Sequence, residues 1–257
     1  MAIAGFTFEH VSVVAGEVTI LDDVDVALGG SVLTVVAGPS GAGKSTLLRL
    51  CNRLDVPSSG RVLLDGDDLA GLDPLALRRR AGMVFQRPVT FPGTVAENLA
   101  VADPTGVHDP AEAIARVGLD PALLERRPTG RRRGEAQLMC IARTLLTEPD
   151  VLLLDEPTSA LDVDARVHVE DLLVDLVHGG LRALWVTHDL DQAERLVRRC
   201  SGTIVVIMGG RVAPDDVARR SIAARSFTAG SRGGAGGAGG SDAQEAEHGS
   251  EHGGSEP

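Results

Sequence analysis

Nine residues at positions 38–46, GPSGAGKST, constrain the fold of this chain more than any other stretch. They match the spacing GxxxxGK[ST], follow the apolar, β-branched run SVLTVVA, and lead into the helical pattern TLLRLCNRL. A strand that turns through glycines into a helix aims backbone N–H groups and the positive helix end at one point, where a phosphate binds. The predicted phosphate-binding residues are Gly38, Pro39, Ser40, Gly41, Ala42, Gly43, Lys44, Ser45 and Thr46.

Lys44 is the only lysine in the chain of 257 residues, in which arginine supplies the other cationic side chains. The compact ammonium group of a lysine at this position reaches the β- and γ-phosphates of a nucleotide. The next residue, Ser45, offers its hydroxyl to Mg²⁺. The loop therefore predicts a nucleoside triphosphate bound together with Mg²⁺.

Two acidic residues end a second apolar run, VLLLDE at positions 151–156, which PTSALD follows. A strand that ends beside the phosphates places Asp155 where it can hold the Mg²⁺ shell. Glu156 then lies near the γ-phosphate, where its carboxylate can polarise an attacking water. The run is predicted to supply one metal ligand and one catalytic base.

Two polar residues end further predicted strands, His188 in ALWVTH and Gln86 in GMVFQ. A neutral imidazole at His188 can hydrogen-bond the γ-phosphate and keep the water and Glu156 in line. The amide of Gln86 can contact Mg²⁺ or the same water. We therefore predict Glu156, His188 and Gln86 as catalytic residues, and Ser45, Gln86 and Asp155 as metal ligands.

Taken together, these motifs resemble the nucleotide-binding subunit of a bacterial ABC transporter, over about residues 6–215. The resemblance implies that ATP and Mg²⁺ bind between two ATPase subunits, identical or different, which drive separate transmembrane permease subunits. It also implies that each ATP is held by the Walker motifs of one subunit and by an LSGGQ signature loop from the opposite subunit. In family terms, residues 38–46 are the Walker A motif, Gln86 the Q-loop, residues 151–156 the Walker B motif, His188 the H-loop, and residues 159–162, ending in Asp162, the nucleotide-facing D-loop.

The expected fold class is α/β, with the parallel sheet core of a P-loop NTPase, an N-terminal antiparallel β layer and an inserted α-helical subdomain. FTFEHVSVV and VTILDDVDVAL alternate as strands of the antiparallel layer. Strands that alternate with helices after residue 30 indicate the parallel sheet. We expect an ABC ATPase domain over residues 1–230, with the helical subdomain at about 87–147, and a disordered Gly/Ser/Glu/His-rich tail over 231–257.

The signature loop departs from the family pattern. It aligns with RRRGE at positions 131–135, where Gly134 fits, whereas Arg132 and Arg133 replace the serine and the first glycine. Three explanations fit this degenerate loop. The chain pairs with a different subunit and forms one working site, it is a homodimer that switches on ATP binding, or the arginines are a sequence artefact.

The base-binding position also departs from the family pattern. The family stacks an aromatic residue on adenine just before the second strand, whereas this chain has Ala15 there, in SVVAG, and no tyrosine anywhere. Stacking contributes on the order of 1 kcal/mol, so weaker rather than abolished binding is expected.

Composition excludes several other classes. A net charge of −11 argues against nucleic acid as a partner. No run of 18 apolar residues occurs, and the three widely spaced cysteines are typical of buried thiols in a cytoplasmic protein, here expected on the inner face of the cell membrane. The alternatives are a non-hydrolysing ATP-binding regulatory subunit and a soluble ABC protein outside transport. ATP turnover distinguishes the first alternative, and a bound membrane partner distinguishes the second.

Overall fold

Ten strands and seven α-helices are assigned within residues 5–29, 31–128 and 133–214, which are the residues that the computed structural model describes. The strands are β1 (Phe6–Ala15), β2 (Val18–Leu28), β3 (Leu33–Ala37), β4 (Ser59–Leu64), β5 (Asp67–Asp68), β6 (Ala81–Val84), β7 (Val151–Asp155), β8 (Arg182–Thr187), β9 (Thr203–Met208) and β10 (Arg211–Val212). The helices are α1 (Lys44–Leu50), α2 (Pro74–Arg80), α3 (Val95–Ala100), α4 (Pro110–Arg116), α5 (Arg133–Leu145), α6 (Val163–His178) and α7 (Leu190–Cys200).

The N-terminal strands form an antiparallel sheet because their apolar side chains alternate with polar ones. Phe6, Phe8 and Val11 of β1 are fully buried, and β1 pairs antiparallel with both β2 and β4. In the described residues, the strand order of this sheet is β2-β1-β4-β5. The predicted antiparallel layer is confirmed.

A second sheet has the order β10-β9-β3-β8-β7-β6 within the described chain, and all its strands except β10 run parallel. Every residue of β3 and β7 is buried, as in parallel strands covered on both faces. The registers pair Ala37 with Thr187 and Asp155 with Val186. The carboxyl ends of β3, β7 and β8 therefore meet at one edge, where an open α/β sheet binds its ligands. The expected fold class is confirmed.

Two apolar cores cover the two faces of the parallel sheet. Val36 of β3 packs into the core shared with α1 and the antiparallel sheet, whereas Val35 packs into the core shared with α5, α6 and α7. Trp185 of β8 is fully buried in the second core. The sheet edge that carries the predicted site is thus supported from both sides.

The described part of residues 87–147 contains three α-helices, α3, α4 and α5, with a 3₁₀ turn at Pro121–Leu123. Thr94 and Glu97 form a reciprocal capping box at the start of α3. The bounds of the helical subdomain and of the whole domain remain predictions, and the predicted tail at 231–257 is outside the described residues. Among the described helices, none has both the length and the apolar character needed to cross a bilayer.

Candidate nucleotide-binding site

The loop between β3 and α1 forms one wall of the site. It leaves the buried end of β3, exposes Pro39, Ser40 and Gly41 at its tip, and enters α1 at Lys44. Gly43 takes a left-handed conformation, with φ +97°, and a Cβ there would lie 2.8 Å from the carbonyl oxygen of Ile20. Only glycine fits this conformation and this contact without a shift of the neighbouring backbone.

Lys44 lies between this loop and the acidic end of β7. Its side chain is 3% exposed, and Nζ donates hydrogen bonds of 2.9 Å to the carbonyl oxygens of Gly38 and Pro39. Nζ is also 3.7 Å from Oε1 of Glu156. Burial lowers the pKa of Lys44, and the carboxylates of Glu156 and Asp155 oppose that effect. The predicted phosphate-binding lysine is therefore in direct reach of the predicted base.

Ser45 and Asp155 bring two oxygen groups together at the start of α1. The Ser45 hydroxyl donates a 2.7 Å hydrogen bond to Oδ1 of Asp155. Burial raises the pKa of Asp155, an effect that the Ser45 hydrogen bond partly offsets. A hydroxyl and a carboxylate are the hard oxygen donors that Mg²⁺ prefers, so this donor set fits the predicted metal.

Glu156 is the centre of the cluster. Its side chain is 13% exposed, and its Oε2 lies 2.9 Å from Nδ1 of His188 and accepts a 3.3 Å hydrogen bond from Nε2 of Gln86. Nε2 of Gln86 also donates to the Ser159 hydroxyl at 3.2 Å. The structure therefore brings the three predicted catalytic residues together around a single carboxylate, beside the ammonium group of Lys44.

Two other predicted residues have local partners. Asp162 is the N-cap of α6, where its carboxylate accepts a 2.8 Å hydrogen bond from the backbone N–H of Ala165. The hydroxyl of Thr46 accepts a 3.3 Å hydrogen bond from Arg49. Ala42, which belongs to the loop itself, is buried. The nucleotide-binding roles assigned to these residues, and those of the rest of the loop, remain predictions.

The predicted signature loop is only partly described. Arg131 and Arg132 lie outside the described residues, whereas α5 begins at Arg133. A Cβ at the next residue, Gly134, would lie 3.1 Å from the Cβ of Ala165 in α6. Gly134 thus allows the start of α5 to approach α6 closely.

The predicted base-binding position lies on an exposed hairpin. Ala15 is the last residue of β1, and residues 14–18 of the turn are all exposed. This turn carries no aromatic side chain. Its exposed aliphatic side chains are Val14 and Val18.

A buried polar cluster next to the site was missed by sequence reasoning. Gln192 of α7 is 4% exposed and hydrogen-bonds Thr158, Thr187, Glu170 and Trp185. The sequence signal for this cluster was weak. It consisted of one threonine two residues after Glu156 and another directly before His188. A glutamine in DQAERL is typical of a solvent-facing helix position and gave no signal.

A phosphate-type loop and an acid-tipped strand on one edge of a parallel sheet define a P-loop nucleotide-binding domain. Residues 21–159 match the family described as ABC transporter. The chain belongs to this family, and it is an ABC transporter ATP-binding domain.

Three relatives illustrate the match. Protein STAR1 of Oryza sativa subsp. japonica is 44% identical over 183 residues, which are 69% of this chain and 53% of STAR1. ABC transporter I family member 17 of Arabidopsis thaliana is 39% identical over 183 residues, covering 69% of this chain and 70% of that protein. The mycobactin import ATP-binding/permease protein IrtB of Mycolicibacterium thermoresistibile is 37% identical over 228 residues, covering 84% of this chain and 38% of IrtB. This chain thus spans about half the length of STAR1, and the predicted bacterial origin stays a prediction.

Two solved structures share the fold. CbiO1 from Clostridium perfringens, described as part of the ABC transporter complex cbiONQ, superposes with a TM-score of 0.73 at 25% identity over 88% of this chain and 95% of that one. A dimeric post-hydrolysis state of the ATP-binding cassette MJ0796, bound to ADP and Pi, gives a TM-score of 0.69 at 26% identity over 81% and 97% of the two chains.

Proposed function

We propose that this chain binds and hydrolyses Mg-ATP as the ATPase subunit of a transporter whose membrane domains are separate chains. The observation that carries the proposal is the position of Glu156, which lies within 3.7 Å of Lys44 and contacts Gln86 and His188. Such a carboxylate, beside a phosphate-binding loop, is placed to activate water against a γ-phosphate.

Lys44 and Ser45 would bind the nucleotide. Lys44 exchanges its hydrogen bonds to the Gly38 and Pro39 carbonyls for the β- and γ-phosphate oxygens. Ser45, Asp155 and Gln86 would hold Mg²⁺, which when bound neutralises charge on the phosphates. Burial of Lys44 and Asp155 strengthens these electrostatic contacts, because little water screens them.

Glu156, His188 and Gln86 would orient and activate the water. Glu156 accepts the water's proton, and His188 and Gln86 hold the carboxylate in one orientation through two hydrogen bonds to the same oxygen, Oε2. The second oxygen, Oε1, faces Lys44. Oε2 of Glu156 therefore positions the carboxylate, whereas Oε1 faces the ammonium group in the phosphate site.

The proposed working unit is a dimer in which each ATP contacts one chain's catalytic cluster and the other chain's signature loop. The dimeric cassette MJ0796, found with ADP and Pi, supports this arrangement. In this chain the serine and first glycine of the signature are Arg132 and Arg133. We infer that the signature is degenerate and that a site completed by RRRGE turns over slowly, since bulk at a close backbone approach is unfavourable.

The first experiment is steady-state ATP hydrolysis by the native chain, by Glu156→Gln, and by a signature-restored variant with Arg131→Leu, Arg132→Ser and Arg133→Gly. We expect the native rate to be close to that of Glu156→Gln and the restored rate to be well above both. Fast turnover by the native chain would show that the arginines serve at the γ-phosphate and would contradict the proposed defect.

A mixing experiment tests whether the signature and the cluster act in trans. A variant with the restored signature and Glu156→Gln has a good signature and no base, whereas the native chain has the base and a poor signature. Each alone should be nearly inactive, and a mixture should hydrolyse ATP because one of its two composite sites is complete. A mixture no faster than the sum of its parts contradicts the composite site.

A second surface supports separate membrane subunits as partners. In the segment 87–99, Val89 and Phe91 are about half exposed. The segment is held firmly, because Arg143 donates a 2.7 Å hydrogen bond to the Val89 carbonyl and its guanidinium lies 4.7 Å from the centre of the Phe91 ring. The two backbone polar groups of Phe91 bond to the Asn98 side chain.

We propose that this rigid apolar loop receives a membrane subunit at the inner face of the cell membrane. The description of cbiO1 as part of the complex cbiONQ supports a partnership of this kind. Affinity-tagged chain should retain membrane proteins from detergent-solubilised membranes of the source cells, and Val89→Asp with Phe91→Asp should release them. ATP binding should be unchanged in that variant. If the tagged chain retains no membrane protein, the result favours a soluble ABC protein.

The regulatory alternative is favoured by one observation, the three arginines at positions 131–133. If both native and signature-restored chains bind ATP and neither hydrolyses it, a non-hydrolysing regulatory subunit becomes the better proposal.

A further inference from the structure

We propose that Gln192 is a positioning residue, whose side-chain amide locks together the two turns that carry Glu156 and His188. The inference deepens the proposed function and rests on it, since Glu156 and His188 are the proposed catalytic pair. Gln192 lies in the first turn of α7 and is 4% exposed. It contacts neither the phosphate-binding loop nor the proposed Mg²⁺ ligands through any hydrogen bond seen in the described residues.

The amide of Gln192 uses all its hydrogen-bonding capacity. Oε1 accepts from the Thr187 hydroxyl at 2.8 Å and from Nε1 of Trp185 at 3.4 Å. Nε2 donates to the Thr158 hydroxyl at 2.9 Å and to Oε1 of Glu170 at 2.8 Å. An amide has two acceptor lone pairs and two N–H donors, so every position is filled.

Two of these partners fix which way the amide points. The indole N–H of Trp185 can only donate, so it requires the oxygen of Gln192. The carboxylate of Glu170 accepts, so it requires the nitrogen of Gln192. Arg195 donates to the same Glu170 oxygen at 3.2 Å, so this oxygen accepts from two donors. A flipped amide would lose both contacts.

The remaining two partners are the links to the site. Thr187 directly precedes His188. Its hydroxyl also accepts a 3.0 Å hydrogen bond from the backbone N–H of Asp189, the residue after His188, and this bond closes a turn around His188. Thr158 lies in the turn after Glu156, which the hydrogen bond from the Ser159 N–H to the Glu156 carbonyl closes at 3.1 Å. Through these two hydroxyls one amide ties both turns to α7.

The tie matters because the Glu156 and His188 side chains meet at 2.9 Å, a distance that a small shift of either turn would break. The hydrogen bond of the Glu156 N–H to the Val186 carbonyl holds the strand ends in register, but it lies before both turns. Gln192 is the buried side chain that bonds to both turns among the described residues.

Two substitutions separate bonding from shape. Gln192→Met keeps the length of the side chain and removes all four hydrogen bonds. Gln192→Glu keeps the shape and places a second carboxylate against Glu170, where two ionised groups repel. The double variant Gln192→Glu with Glu170→Gln restores one carboxylate and one amide at this contact. A residue that only filled space would tolerate Gln192→Met, and the double variant would then recover nothing that the Gln192→Met variant had lost.

The test measures ATP turnover in the signature-restored chain, where the rate is expected to be high, and nucleotide affinity and unfolding midpoint in both the native and the signature-restored chains. Both single variants should lower kcat about tenfold to a hundredfold and leave the nucleotide Kd within about twofold, because a shifted catalytic pair reduces the rate without removing phosphate contacts. The double variant should recover most of the rate. Asn52→Leu removes a buried amide outside this cluster and should lower the unfolding midpoint at unchanged kcat.

A readout without turnover uses the ring ¹⁵N signals of His188, assigned with His188→Ala and compared with Glu156→Gln, in which the carboxylate is gone. In Gln192→Met the His188 signals should move towards their positions in Glu156→Gln. Unchanged His188 signals, or a loss of kcat no larger than in Asn52→Leu, would overturn the proposal. If neither background hydrolyses ATP, the proposed ATPase function fails, and the His188 signals still decide the role of Gln192.

Discussion

Substituting Gly43 by alanine tests whether the shape of the phosphate loop depends on close contact with β2. Gly43 has φ +97°, and a Cβ there would lie 2.6 Å from Cδ2 of Leu21 and 2.8 Å from the carbonyl oxygen of Ile20. Gly41, two residues earlier, has φ +78° and no atom within 4 Å of its Cβ position. Alanine costs about 1–2 kcal/mol in the left-handed region at either position. Overpacking at Gly43 adds about 1–3 kcal/mol, because one of the two neighbours is backbone and cannot rotate away.

The measured quantity is the difference in free energy of unfolding between Gly43→Ala and Gly41→Ala, from urea denaturation. The gain from stiffening the unfolded chain is the same in both variants and cancels. We expect Gly43→Ala to be the less stable by about 1–3 kcal/mol. ATP affinity should fall further in Gly43→Ala, since the loop shifts to relieve the contact. Equal stabilities would refute the argument that packing against β2 sets the loop's shape.

Three further predictions concern the metal, the adenine base of ATP and the pH dependence of stability. Removal of Mg²⁺ by EDTA should weaken ATP binding to the native chain, and Asp155→Asn should reduce the Mg²⁺-dependent part of the affinity about tenfold or more, as measured by titration calorimetry. Ala15→Tyr should tighten ATP binding about fivefold, the equivalent of about 1 kcal/mol of stacking, with triphosphate lacking a base as the control ligand. Hydrogen bonds to Glu148 and Asp103 raise the pKa of His108, so the stabilisation from His108 should be complete below about pH 6.5 and lost as pH rises through the raised pKa. The unfolding midpoint of His108→Gln should therefore be lower than that of the native chain at acidic pH and equal to it at alkaline pH.

Much of the site was accessible from sequence because its parts lie at the ends of parallel strands. The short apolar runs at β3 and β7 predicted strands, which the structure buries completely, and parallel strands deliver their carboxyl ends to one edge. Knowing the edge was enough to predict that Glu156 and His188 would meet there, and they do at 2.9 Å. The spacing of polar residues after apolar runs carries this information directly.

Contacts made across the tertiary structure could not be predicted in the same way. The helix α2 was not predicted, although Asp73 caps it and Pro74 is its first residue, because seven residues are too few to show a clear period. Gln192 is buried only because α6 and the turn after β7 both pack against α7, which the local pattern DQAERL does not reveal. Burial of a polar residue depends on partners distant in sequence, and the sequence identifies those partners only once the fold is known.

The predicted catalytic cluster is built from residues outside α5, the helix that follows the arginine-rich segment in the sequence. Lys44, Gln86 and His188 each hydrogen-bond or ion-pair with Glu156 within one chain. None of these contacts involves α5, whose described first turn instead approaches α6 at Gly134. In the sequence, the arginines at positions 131–133 lead into this helix. In the proposed dimer their effect falls on the ATP held by the opposite subunit, so a degenerate signature is compatible with a complete set of predicted catalytic groups in the same chain.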